Sequence, residues 1–150
     1  MITYFNMVID IFISFTFALS AIIISLHIHP IRCADSIFDF EVIDHDGDPV
    51  QLSKYSKSSV ILVVNVASNC GFTYINYREL VELHDKYKSK GFEILAFPSN
   101  EFGERESGSN ADIQTFVRNY GVSFPVFAKT EVNGKDANPL YKFLKARIGE

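Results

Sequence analysis

Hydrophobic and polar positions change rhythm several times along this chain, and each change predicts an element. The first 34 residues stand apart. Between Asp10 and Arg32 there is no Asp, Glu, Lys or Arg, and the run from Ile11 to Leu26 is nearly all apolar or small. It lacks the one-sided pattern of a core helix. Its length suits the apolar stretch of a secretory signal and falls just short of a comfortable membrane span. This predicts an apolar leader over 1–34, a signal peptide or membrane anchor, and a protein secreted or membrane-anchored through it. Cytoplasmic residence follows if the leader is an artefact of gene prediction. Asp10, the lack of Lys or Arg before it, and Arg32 near Ala34 fit a cleaved signal poorly.

Beyond Ala34 the pattern becomes that of a globular domain, 35–150. Phe38, Phe40 and Val42 alternate with polar residues, Asp46-Gly47 is a turn pair, and Val50 and Leu52 follow; together they predict a β-hairpin. The β-branched run Val60 to Val66 suits a strand buried on both faces of a largely parallel sheet. Tyr77, Leu80, Val81, His84 and Tyr87 then share one helical face. Thr73 is placed to cap this helix, Glu82 and Lys86 to pair outside it, and Gly91 to stop it. His84 on that face reads as a packing residue. Phe92 to Phe97 predicts a second strand, closed by Pro98, and 100–110 a polar loop. Ile113, Phe116, Val117 and Tyr120 predict a helix ending at Gly121, and Val126 to Ala128 a short strand. Asn133-Gly134 is a turn. Asn138 and Pro139 open a last helix with Leu140, Phe143 and Leu144 on its apolar face. The order β–β–β–α–β–α–β–α implies an α/β domain.

Composition narrows the chemistry. Hydrophobic residues make up 47% of 150, enough for a core, and with 14 Phe but no Trp the aromatic packing rests on Phe and Tyr. The net charge of -4, without a block of like charges, gives no basic stripe for nucleic acid. Two cysteines, Cys33 and Cys70, are too few for a disulfide-stapled scaffold, and neither belongs to a C-x-x-C pair. Cys33 lies in the leader and reads as inert. Cys70 falls between a predicted buried strand and the start of a helix, where sheets of this class place their chemistry and where first-turn amides favour a thiolate. Gly71 removes a side chain beside the sulfur.

The residues around Cys70 carry more than position. Asn65-Val66-Ala67-Ser68-Asn69-Cys70-Gly71-Phe72-Thr73 closely resembles the N-V-A-S-x-C-G-x-T motif of the glutathione peroxidases, and Asn76-Tyr77 and Leu80 continue it. Leu95-Ala96-Phe97-Pro98-Ser99-Asn100-Glu101-Phe102-Gly103, with Glu106-Ser107-Gly108-Ser109-Asn110, is similar to the family's second signature. Val132-Asn133-Gly134 and Pro139-Leu140-Tyr141 extend the likeness, which runs from about Phe38 to Leu144.

The resemblance implies a thioredoxin-like fold of glutathione peroxidase type, lacking here the C-terminal strands and helix, so that the domain is incomplete at its C-terminus. It implies a thiol-dependent peroxidase, active in the response to oxidative stress, that reduces hydrogen peroxide and organic or lipid hydroperoxides through a sulfenic acid on Cys70. No bound cofactor or metal is implied. Glutathione, another thiol or thioredoxin serves as reductant, Ser99 standing where many relatives carry Cys. The short stretch from Tyr120 to Val132 implies a monomer; membrane contact would come through the leader. Glu101 stands where the family has a catalytic Gln, whose Trp and Asn partners belong to a motif beyond Glu150. An ionised Glu101 beside the sulfur would oppose the thiolate and could not donate a hydrogen bond. The alternative is a weak or inactive relative that senses redox state or binds.

Overall fold

Side chains of a strand alternate between two faces, and one strand uses both faces to organise this molecule. The computed structural model describes residues 34–149. In it β3 (Val60–Val66) and β4 (Phe92–Pro98) are parallel neighbours, Val60 opposite Phe92 and Val66 opposite Pro98, joined through helix α1 (Thr73–Tyr87). Leu95 and Phe97 of β4 pack with Val42, Leu52, Phe127, Val132, Leu140 and Tyr141. Ile94 and Ala96, facing the other way, pack with Val66, Tyr77, Ile113, Val117, Phe124 and Val126. The Phe97 ring stacks on Phe127 at 4.7 Å and meets Tyr141 edge-on at 5.6 Å.

The expected α/β elements form around this strand, with local differences. β1 (Glu41–Ile43) and β2 (Pro49–Gln51) make the antiparallel hairpin. Gly47 supplies the left-handed turn residue at φ 93°, and the Asp44 carboxylate accepts the amides of Asp46 and Asp48 at 3.0 Å each. Phe38 and Leu52 fall in 3-10 turns, Ile37–Asp39 and Leu52–Tyr55, rather than in the strands. Helix α2 (Asn110–Arg118) is opened by Ser109 and Asp112 in a reciprocal capping box. Helix α3 (Pro139–Ile148) opens at the expected Asn138, whose side chain accepts from the Leu140 amide.

Where a strand was expected over Val126 to Ala128, Val126 and Phe127 form isolated bridges. Val126 pairs with Ala96 in parallel and Phe127 with Asp44 in antiparallel fashion, so the segment changes partner before a ladder can grow. On α1, Glu82 pairs with Arg78 at 3.8 Å, while the Lys86 ammonium lies over the Tyr87 ring at 5.2 Å. β3 was expected to be buried on both faces; only Val66 is, and Val60 is 58% exposed. Among the described residues β3 has a strand neighbour on one edge alone, whereas β4 has β3 and the Val126 bridge. The leader and Cys33 lie outside the described residues, apart from Ala34. Among those residues no helix is long and apolar enough to cross a membrane.

Candidate functional site

Cys70 sits at the carboxyl end of β3, in the short loop that turns the chain into α1, and is exposed. Thr73 holds this loop in a way that differs from the expected cap. The residue before the helix, Phe72, makes no side-chain cap. Thr73 is instead the first helical residue; its hydroxyl donates to the Ala67 carbonyl at 2.7 Å and accepts the Cys70 amide at 2.9 Å. The Thr73 amide donates to the Cys70 carbonyl at 3.0 Å. One buried hydroxyl thus ties the end of the strand to the cysteine's backbone, leaving the thiol outside.

The loop after β4 braces the same turn. The Glu106 carboxylate, on a residue only 1% exposed, accepts the Ser68 amide at 2.8 Å and the Ser68 hydroxyl at 3.1 Å. The Asn69 amide donates to the Arg105 carbonyl at 3.0 Å. Asn100 fixes the brace by accepting the Glu106 amide at 2.9 Å. Burial pushes the Glu106 carboxyl above the ordinary carboxylate range; its bonds to Ser68 and the charge of Lys129 pull in the other direction. Arg105 is not singled out by the sequence pattern, and Glu106 enters it as a signature residue without a role, because no local rule turns a loop carboxylate inward.

Beside Cys70 opens a cavity of about 710 Å³. Val64, Val66, Leu80, Leu83 and Phe102 give it an apolar wall, while Arg105 and Glu79 bring the charges. Glu101 is not on its lining. Its carboxylate accepts the amides of Val132 and of Asn133, the latter at 3.0 Å, and the residue lines a separate depression with Lys129 and Thr130. The structure therefore gathers Cys70 with Phe102 and Arg105 and leaves the Glu101 carboxylate engaged elsewhere. Among the described residues no group of three or more His, Cys, Asp or Glu could hold a metal ion.

This arrangement, an exposed cysteine braced from two loops at a strand-to-helix turn, coincides with a family match. The profile of the family described as glutathione peroxidase covers residues 37–145. The chain belongs to the glutathione peroxidase family. It is 56% identical over 117 residues to a probable phospholipid hydroperoxide glutathione peroxidase of Helianthus annuus, covering 77% of this chain and 63% of that protein. It is 51% identical over 115 residues to the putative chloroplastic glutathione peroxidase 7 of Arabidopsis thaliana, covering 76% and 49%. Among solved structures it is similar to T. cruzi GPX1, with a TM-score of 0.60 and 39% identity over 76% of this chain and 67% of that one. The chain thus spans between about half and two thirds of the length of these relatives. The fold is the thioredoxin-like one of glutathione peroxidases.

The compartment expected from the leader is corrected by the same comparisons. Secretion or membrane anchorage was read from an apolar run that lies outside the described residues. No described helix could span a bilayer, and similar glutathione peroxidases carry chloroplastic or mitochondrial in their names. Apolar length alone does not distinguish an export signal from other sequence at a chain's start.

Proposed function

We propose that this chain is a thiol-dependent peroxidase with Cys70 as its nucleophile. Family membership supports the reaction class, and the braced, exposed cysteine at the mouth of a cavity is the observation that carries the residue assignment. The Cys70 thiolate attacks the terminal oxygen of a hydroperoxide; the S–O bond forms as the O–O bond breaks. The alcohol, or water from hydrogen peroxide, leaves with a proton, and the sulfur becomes a sulfenic acid. One thiol condenses with it, releasing water and forming a mixed disulfide; a second thiol frees Cys70 by exchange. Glutathione, another low-molecular-weight thiol or thioredoxin fills this role, and hydrogen peroxide and organic or lipid hydroperoxides are the oxidants. No bound cofactor takes part. The short Tyr120 to Val132 connection supports a monomer, which light scattering would check.

Glu101 takes no direct part in this scheme. Its carboxylate serves the backbone at 132–133, so the family's Gln is replaced here by a group committed to loop structure. The deciding experiment treats the chain with hydrogen peroxide, traps sulfenic acid with dimedone and locates the adduct by mass spectrometry. The adduct is expected on Cys70. An adduct on Cys33 alone would overturn the assignment.

A further inference from the structure

The turn that anchors Glu101 carries a reactive pair of its own. Asn133 is the one asparagine in the chain followed by glycine, and both residues are exposed between Val132 and helix α3. An asparagine side chain and the next residue's amide nitrogen are spaced to close a succinimide ring, and a side chain on that next residue hinders the approach. Gly134 has none. It turns the chain at φ 70°, and nothing lies within 4 Å of where a Cβ would stand. Among the described residues its amide donates to no acceptor, while its carbonyl accepts from Ala137 at 3.4 Å. The attacking nitrogen is thus uncommitted. The group it would attack is polarised: Lys145 of α3 donates from its ammonium to the Asn133 side-chain oxygen at 2.5 Å. Negative charge develops on that oxygen as the amide carbon is attacked. Asn100, Asn110 and Asn138 differ on both counts. Their side-chain oxygens accept from backbone amides, and a residue with a side chain, or proline, follows each.

We propose that Asn133 is a deamidation site, assisted by Lys145, whose product loosens the anchor of Glu101. The Gly134 nitrogen gives its proton to solvent base and bonds to the Asn133 amide carbon; the bond from that carbon to the side-chain nitrogen breaks, and ammonia leaves. Water then opens the ring at either carbonyl, giving aspartate or isoaspartate with no change of oxidation state. Either product puts a carboxylate on the residue whose backbone amide the Glu101 carboxylate accepts at 3.0 Å, so two like charges meet at one turn. Isoaspartate also lengthens the main chain there by a methylene. This chemistry stands apart from the peroxidase reading, since it needs neither Cys70 nor a hydroperoxide.

The test incubates the full chain at mildly alkaline pH and follows each asparagine by peptide mass mapping, with isoaspartate methyltransferase labelling to identify the product. Asn133 should convert before every other asparagine, and faster as pH rises, because the Gly134 nitrogen must lose a proton. Lys145→Gln should slow the conversion about threefold, a modest factor because a solvent-accessible charge stabilises an oxyanion less than a buried donor does. Lys145→Arg should restore most of the rate, and urea should erase the difference between Lys145→Gln and the parent chain. Earlier conversion of another asparagine, or an equal rate in Lys145→Gln, would overturn the proposal. The link to Glu101 is read in urea midpoints. Asn133→Asp should lower the midpoint, and should lower it less in a Glu101→Gln background, where one of the two charges is gone. No drop, or equal drops in the two backgrounds, would overturn the loosening of Glu101.

Discussion

The loops that follow β3 and β4 begin at neighbouring strand ends and are held by opposite means. The loop after β3 is short, and one threonine hydroxyl closes it on itself. The loop after β4 is long, and two carboxylates anchor it to other parts of the chain. Those two glutamates teach the most. Glu101 occupies the position where the family motif has its catalytic amide, yet its carboxylate reaches to the amides of Val132 and Asn133. Glu106 belongs to the signature segment Glu106-Ser107-Gly108-Ser109-Asn110; it is buried and holds Ser68, two residues from the thiol. In this loop the carboxylate that replaces the family's Gln supports a distant turn, and the one that matches the signature supports the site.

The largest effect expected is loss of the thiol. Cys70→Ser should reduce hydroperoxide consumption to the uncatalysed background while the thermal unfolding midpoint stays close to that of the parent chain, because the side chain is exposed. Retained turnover would break the contrast between the loops by moving the chemistry elsewhere.

Glu106 should come next. Glu106→Ala leaves the Ser68 amide and hydroxyl without their acceptor, which should cost about 1–3 kcal/mol in urea unfolding and slow Cys70 oxidation as well. Glu106→Gln keeps an acceptor oxygen and removes the buried charge. Because burial raises the Glu106 carboxyl, the folded chain holds that proton more tightly than the unfolded chain does. The glutamate's contribution is thus complete at low pH and is lost as pH rises through its folded value. The unaltered chain should therefore lose stability relative to Glu106→Gln as pH climbs past the ordinary carboxylate range. Parallel stability–pH curves would refute an internal role for this carboxylate.

Thr73→Val should cost roughly 1–2 kcal/mol, since it removes a donor to Ala67 and an acceptor for Cys70. Thr73→Ser, which keeps the hydroxyl, should recover most of it. A Thr73→Val chain as stable as the parent would show that the loop after β3 needs no internal tie. The smallest effect belongs to Glu101→Gln. The amide oxygen can still accept from Val132 and Asn133, so stability should move by only a few tenths of a kcal/mol. The rate of Cys70 oxidation against pH should superimpose on that of the parent. A faster rate that shrinks toward low pH would place Glu101 beside the sulfur after all and collapse the distinction between the two glutamates.

Much of the scaffold was legible because it obeys local rules. The β-branched run at 60–66, the turn pair Asp46-Gly47 and the Asn138-Pro139 start each specify backbone geometry through neighbouring residues. The Cys70 position followed from the strand-to-helix placement and the motif around it. The remainder depended on partners far along the chain. Thr73 has the chemistry of a cap, but its hydroxyl found better partners in Ala67 and Cys70 once β3 and α1 were in place. The exposure of β3 depends on which strands flank it, and a run of β-branched residues cannot announce its neighbours. The burial of Glu106 depends on Ser68, 38 positions away, a separation at which charge patterning carries no signal.

The strand at the centre has a consequence for how the domain comes apart. Leu95 and Phe97 belong to one cluster, Ile94 and Ala96 to the other, and all four are fully buried. Neither cluster can melt without stripping one face of a wall that the other still needs. The two should therefore behave as one cooperative unit, with the amides of Ile94 to Phe97 exchanging hydrogen only when the whole domain opens. Heat or denaturant should meet a single transition, in which the brace at Ser68 and the hairpin at Gly47 are lost together.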